Sequence, residues 1–286
     1  MKKWMAGTMA ALLAVSMAGC GTAQAETMEP AAYPAGRTVQ AEPVAATPET
    51  AQPKVLLDQG GVRITALGYD PDGMLGARVP LRVENESDRD VAVQAEWGAL
   101  NGCMMDALCY MEADAGQTVE DSVLFISTEV QRAGADPAGQ VTLQLNVLDQ
   151  ESCETLATTG LMTWDLTQGG GETAVPQGVT LSDEGDVVVT ACAADDEVLG
   201  SELRLWVENR SDRTVTVRFD EVRLGWGLGG EDTIAELLPG TCSVNGVKLP
   251  GSAADAAGKT LHLKLSVMDS DSYEMLTEQT VDVKLA

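Results

Sequence analysis

Residues 83–93 read VENESDRDVAV, and residues 207–217 read VENRSDRTVTV. Eight of the eleven positions are identical, 124 residues apart, which points to a duplicated domain rather than a short-period solenoid. Within each phrase an apolar alternation runs into a polar turn and resumes after it. Val79, Leu81 and Val83 alternate before the turn, and Val91 and Val93 after it. The second copy repeats this with Leu203, Leu205 and Val207, then Val215 and Val217. Period two with one polar face is the signature of a half-buried strand in an antiparallel sheet. Between the strands, Asn85, Ser87 and Asp88, like Asn209, Ser211 and Asp212, can accept hydrogen bonds from the nearby backbone and so form a turn. Because the same turn occurs in both copies, we read it as structural, and discount its match to an Asn-x-Ser glycosylation acceptor.

The pattern continues on either side. Val141, Leu143, Leu145 and Val147 share one face of a strand, as do Leu261, Leu263, Leu265 and Val267. Val62-Arg63-Ile64-Thr65-Ala66 aligns with Val187-Val188-Val189-Thr190-Ala191, and Met162, Trp164 and Leu166 align with Val281, Val283 and Leu285. Turn-forming residues separate the strands, as at Asp70-Pro71-Asp72-Gly73, Ala115-Gly116 and Pro239-Gly240. One short helical turn is expected near residues 129–134. Six to eight short strands in about 110 residues, with no long helical stripe, need a second layer to bury their apolar face, so each copy is expected to be a β-sandwich. The first sandwich is placed at residues 55–167 and the second at 179–286. A Gly-rich linker at 168–178, around Gly169-Gly170-Gly171, suggests a variable angle between them.

The N-terminus predicts an address. Lys2 and Lys3 precede an apolar stretch at residues 9–18 that is too short to span a bilayer and suits a signal peptide, residues 1–19. The segment ends Ser16-Met17-Ala18-Gly19-Cys20, which resembles the lipobox of bacterial lipoproteins, with Met17 where Leu is usual. That resemblance implies lipidation of Cys20 and a membrane anchor on the extracytoplasmic face of the cell membrane. Ordinary cleavage near Ala25 is the alternative, and it would discard Cys20. Residues 20–54 contain five prolines among Ala, Thr, Glu and Gln without apolar periodicity, and read as a disordered tether. Such a coil would hold its ends roughly 30 Å apart.

Composition narrows the chemistry. The net charge of −26 argues against nucleic acid, because no basic footprint exists to neutralise phosphates, and against the domains lying on an anionic membrane. Five cysteines follow Cys20, an odd number. Cys192 with Cys242, and Cys103 with Cys109, are candidate disulfides of an exported protein. The two pairs hold different positions in the repeat, since Thr118 aligns with Cys242 and Tyr273 with Cys153. No C-x-x-C pair favours zinc. Asp269-Ser270-Asp271-Ser272-Tyr273-Glu274 and Asp149-Gln150-Glu151-Ser152 are carboxylate-rich but lack the glycine of a calcium loop, and are read as strand-connecting turns. His262 is the single histidine, expected on the solvent face of its strand, which makes Ser-His-Asp or Cys-His catalysis a poor fit. No carboxylate pair is set off by an apolar pocket pattern of the kind a glycosidase needs. Neither an enzymatic activity nor a cofactor is therefore expected.

VENESDRDVAVQ with Leu100-Asn101-Gly102, Ala115-Gly116 and VLDQESCETL, and in the second copy VENRSDRTVTVR, Pro239-Gly240 and VMDSDSYEML, resemble a pattern in lipoproteins of Gram-positive gut bacteria. The resemblance covers both copies. It implies immunoglobulin-like domains and brings no activity. The overall expectation is all-β: two tandem immunoglobulin-like antiparallel β-sandwiches after a signal peptide and a disordered linker.

Trp206 lies between the inward-facing Leu205 and Val207, so it is expected to point outward, where the first copy has Arg82. Trp226 lies nearby in a Gly-rich loop. An exposed Trp can stack on sugars or anchor a protein partner. Trp206 and Trp226 are thus the candidate ligand contacts of a binding or adhesion module for cell-wall glycan or a surface protein. The alternatives are that Trp206 packs against a loop or the other domain, and that the chain is a structural spacer or accessory subunit.

Overall fold

The computed structural model describes residues 53–166, 173, 176–197, 200–225, 233–249 and 252–285. Cys20, the signal segment, nearly all of the tether, Gly169-Gly170-Gly171 and Trp226 lie outside the described residues. The first copy runs β1 (Lys54–Gln59), β2 (Val62–Ala66), β3 (Gly76–Asn85), β4 (Val91–Leu100), β5 (Cys103–Met104), β6 (Ala107–Leu108), β7 (Tyr110–Ala113), β8 (Thr118–Ile126), helix α1 (Ser127–Ala133), β9 (Gln140–Asp149), β10 (Thr155–Thr158) and β11 (Met162–Asp165). The second runs β12 (Val179–Glu184), β13 (Val187–Glu197), β14 (Gly200–Asn209), β15 (Val215–Leu224), β16 (Thr233–Leu237), β17 (Cys242–Lys248), helix α2 (Ala253–Ala256), β18 (Thr260–Asp269) and β19 (Met275–Lys284). The fold is all-β, built from antiparallel sheets in sandwich layers, and α1 falls where the helical turn is expected.

The alternations become the core. Val141, Leu143, Leu145 and Val147 of β9 are buried, as are Leu261, Leu263, Leu265 and Val267 of β18. Phe125 fills the first sandwich and Phe219 the second, both fully buried. In the first copy β1-β2-β3-β8-β6 form one sheet, and β9 and β4, with β10, β11 and β7 on their flanks, form the facing one. In the second, β12-β13-β14-β17 face β16-β15-β18-β19.

The two phrases that open the sequence fold into the same clamp. Asn85 is 1% exposed and Asn209 is fully buried. Asn85 Nδ2 donates to the carbonyls of Arg89 (2.8 Å), Ala113 (2.9 Å) and Asp114 (3.1 Å), while its Oδ1 accepts from Ser87 Oγ (2.6 Å) and the Ser87 amide (3.1 Å). Asn209 Nδ2 donates to Arg213 (2.7 Å), Leu237 (3.1 Å) and Leu238 (3.1 Å), and its Oδ1 accepts from Ser211 Oγ (2.6 Å) and the Ser211 amide (3.0 Å). Arg89 and Arg213 then reach Asp149 (3.2 Å) and Asp269 (3.6 Å) in the turns after β9 and β18. Each Asp also accepts N–H bonds from the backbone two and three positions after it.

One feature departs from the expected pair of separate sandwiches. The second sheet of the first copy and the first sheet of the second copy are a single ten-stranded sheet, joined where β5 pairs with β17. That pairing is parallel, with Cys103 opposite Cys242 and Met104 opposite Ser243. The sheet is therefore mixed at the joint. Side chains cross it in both directions: Trp206 and Cys242 pack into the first core, and Ala99 and Met104 into the second.

Candidate functional site

The joint is built on the outer face of β14 and β17. In β14, Leu203, Leu205 and Val207 point into the second core, as the alternation requires. Glu202 and Trp206 on the opposite face are buried as well, and Arg204 is half-buried. Trp206 is 2% exposed, lies opposite Thr190 and Val244, and packs with the first copy's core. This corrects its expected role as an exposed ligand contact. Alternation assigns Trp206 to the outer face correctly, but the first copy covers that face. In the first copy the equivalent Arg82 stays at the surface, paired with Glu120 at 2.7 Å.

Beside Trp206, the Glu202 carboxylate is buried between two cations, Arg132 of α1 at 2.9 Å and Lys248 of β17 at 2.8 Å. The carboxylate lies against Gly246, where a Cβ would approach Oε2 to 2.1 Å, so a larger residue there would displace it from its present position. A charge buried this far from water is tolerable only when paired, and here its partners come from both copies.

Above the joint the two copies leave a cleft of about 480 Å³. Trp97 and Gly98 of β4, Met104 and Met105, and Ser243 and Asn245 of β17 line it, with Ala107 and Leu108 of β6 on one side and Ile234 to Glu236 of β16 on the other. Leu108 is 49% exposed and Ile234 58% exposed. Both β6 and β16 are terminal strands of their sheets, so each borders the cleft with a backbone edge that has no second ladder partner among the described residues. The exposed carboxylates of Glu96, Asp106 and Glu236 line it too. Asn245 Nδ2 donates to Ser243 Oγ at 2.8 Å. The Asp106 amide donates to Glu129 Oε2 at 2.9 Å, and burial, then the Asp106 carboxylate, raise the Glu129 carboxyl above its ordinary range. Gly98 lets β6 lie close over β4, because a Cβ there would meet Ala107 Cβ at 2.3 Å.

The expected disulfides are absent. None of Cys103, Cys109, Cys153, Cys192 and Cys242 is bonded to another in the structure. Cys192 and Cys242 lie on β13 and β17 with β14 between them. Two strand spacings amount to about 9.5 Å, beyond the ~7 Å that a disulfide spans. Cys103 faces the joint, opposite Cys242, whereas the Cys109 thiol is directed to the Val93 carbonyl at 3.9 Å. Burial, then the Asp121 carboxylate, push the Cys109 thiol up to about 12. Cys153 and Tyr273, aligned in sequence, occupy the same left-handed backbone position, at φ 57° and 59°. His262 sits across the ladder from Asp282 and hydrogen-bonds to it on the exposed face of β18 and β19.

Sequence reasoning did not find the cleft. Its residues come from β4, the short β5 and β6, β16 and β17, and two-residue strands carry no period to read. The one available signal was the apolar run Cys103-Met104-Met105 directly after Gly102, outside any alternation.

No family model matches the chain, and no curated protein does. Among solved structures, it is similar to the YadV chaperone, with a TM-score of 0.27 and 12% identity, covering 78% of this chain and 100% of that one. It is also similar to a protein of unknown function from Porphyromonas gingivalis W83, with a TM-score of 0.23 and 13% identity, covering 79% of this chain and 100% of that one. Likeness at this level says nothing about activity.

Proposed function

We propose that the chain is a lipid-anchored, non-catalytic binding module on the extracytoplasmic face of the cell membrane, whose ligand is an extended segment of a surface protein seated in the cleft between the two copies. Anchoring rests on Cys20 of the lipobox-like segment. The observation that carries the binding reading is the pairing of a cleft with open strand edges: β6 and β16 border a floor that includes Trp97, Met104 and Met105. An extended peptide adds to such an edge through main-chain hydrogen bonds and drops alternate side chains into the adjoining pocket. Methionine suits a floor that must accommodate varied side chains. Carboxylates at Glu96, Asp106 and Glu236, on a chain of net charge −26, favour a segment flanked by lysine or arginine. Catalysis finds less support, because the lone histidine is paired with Asp282 on strands that do not line this cleft.

The test is to pan a random peptide library against the full chain and against a Leu108→Arg/Ile234→Arg variant. The wild type should enrich peptides with alternating apolar residues and basic flanks, with the variant losing at least ten-fold in affinity. Equal enrichment on both would move the site elsewhere. No enrichment on either, with cell-wall sacculi retained instead, would favour a glycan ligand; retention of neither would favour a spacer or accessory subunit.

A further inference from the structure

The joint between the copies carries a facing pair of cysteines, one from each copy, both packed with the first core. Cys103 and Cys242 are Cα partners in the parallel β5–β17 ladder. Directly paired residues on neighbouring strands lie about 4.8 Å apart with side chains on the same face, inside the ~4.4–6.8 Å Cα range of a disulfide. Cys242 Sγ donates to the Gly102 carbonyl, next to Cys103 in the chain, at 3.6 Å. Cys103 is fully buried and Cys242 is 9% exposed. We infer that Cys103 and Cys242 form a disulfide that staples the first sandwich to the second.

The reaction is an exchange. A disulfide of a low-molecular-weight thiol or of a thiol oxidoreductase accepts two electrons from the pair. One cysteine thiolate attacks it to give a mixed disulfide and releases one carrier thiol. The second cysteine thiolate then attacks the protein sulfur of that mixed disulfide and releases the other carrier thiol. One S–S bond forms, one breaks, and the two cysteine protons end on the carrier thiols. The attacking species is the thiolate. In the folded chain the neighbouring Cys242 thiol, then burial, hold Cys103 protonated far above its ordinary range. The bond therefore forms while the joint is still open, during folding, and the closed joint then shields it from reductant. Its neighbours Met104 and Ser243 line the cleft, so the staple also fixes the cleft floor. This inference does not depend on what occupies the cleft.

The experiment refolds the reduced full chain in a mixture of oxidised and reduced glutathione, alkylates residual thiols under denaturing conditions, and maps linked peptides by mass spectrometry. A parallel sample of already folded, reduced chain receives the same mixture. The expected result is a Cys103–Cys242 peptide in most molecules after refolding, formed at least ten-fold more slowly from the folded chain. A Cys109→Ala/Cys153→Ala/Cys192→Ala variant, which keeps the pair, should give the same link, and its thermal midpoint should be higher oxidised than reduced by roughly 5–15 °C. Alkylation of both Cys103 and Cys242 after refolding would overturn the inference. So would recovery of Cys103–Cys109 or Cys192–Cys242 as the main link, or an unchanged midpoint in the linked variant.

Discussion

A single asparagine per copy holds each turn together. The Asn85 and Asn209 side chains each bond three carbonyls and a backbone amide at once. Removing such a group breaks these bonds together in a largely buried turn, and any polar atom left short of a partner carries a desolvation cost. Asn85→Ala and Asn209→Ala should therefore each destabilise the chain by about 3–5 kcal/mol in urea unfolding. A loss below about 1 kcal/mol would mean that water takes over the asparagine's role. These residues were legible in the sequence, because the phrase repeats and because Asn, Ser and Asp have known backbone partners. Trp206 was not. Alternation states which face a side chain takes, but not what covers that face. The clue lay one strand away. The outward positions Cys242 and Val244 of β17 are apolar or weakly polar where β8 carries Thr118 and Glu120.

Among the elements, the turns after β9 and β18 carry the clearest pH dependence. Hydrogen bonds from the Ser152 amide and hydroxyl, foremost among several, hold the Asp149 carboxyl below its ordinary range. Those from Ser272 do the same for Asp269. A carboxyl whose folded-state pKa lies below its unfolded value of roughly 4 contributes stability that is fully present above that value and is lost as pH falls through the folded pKa. The thermal midpoint of the wild type should thus fall more steeply below about pH 4 than that of an Asp149→Asn/Asp269→Asn variant. Parallel curves for the two proteins would show that these turns do not carry the acid sensitivity. The long strands could be read from their period because one face of each is buried. Strands β5 and β6 could not, since two residues define no period, and their pairing depends on contacts with strands distant in sequence.

For the whole molecule, the shared sheet makes the two copies one cooperative object. Trp206 belongs to the first core and Met104 to the second, and Glu202 meets cations from both copies. Calorimetry should show one transition for the wild type. Glu202→Ala, which takes away the carboxylate that Arg132 and Lys248 both address, should lower stability by about 3 kcal/mol. Two well-separated transitions in the wild type would show that the copies unfold independently. The joint is also a head-to-tail contact, since the second sheet of one copy meets the first sheet of the next. Contacts of this kind do not close on themselves and can in principle propagate into filaments. Here the series has a built-in terminator. The face that a further molecule would have to dock on, the outer side of β3 and β8, presents the Arg82–Glu120 ion pair in place of Trp206 and Val244. The outward-facing positions of β3 and β8 thus withhold the apolar docking face that β14 and β17 present.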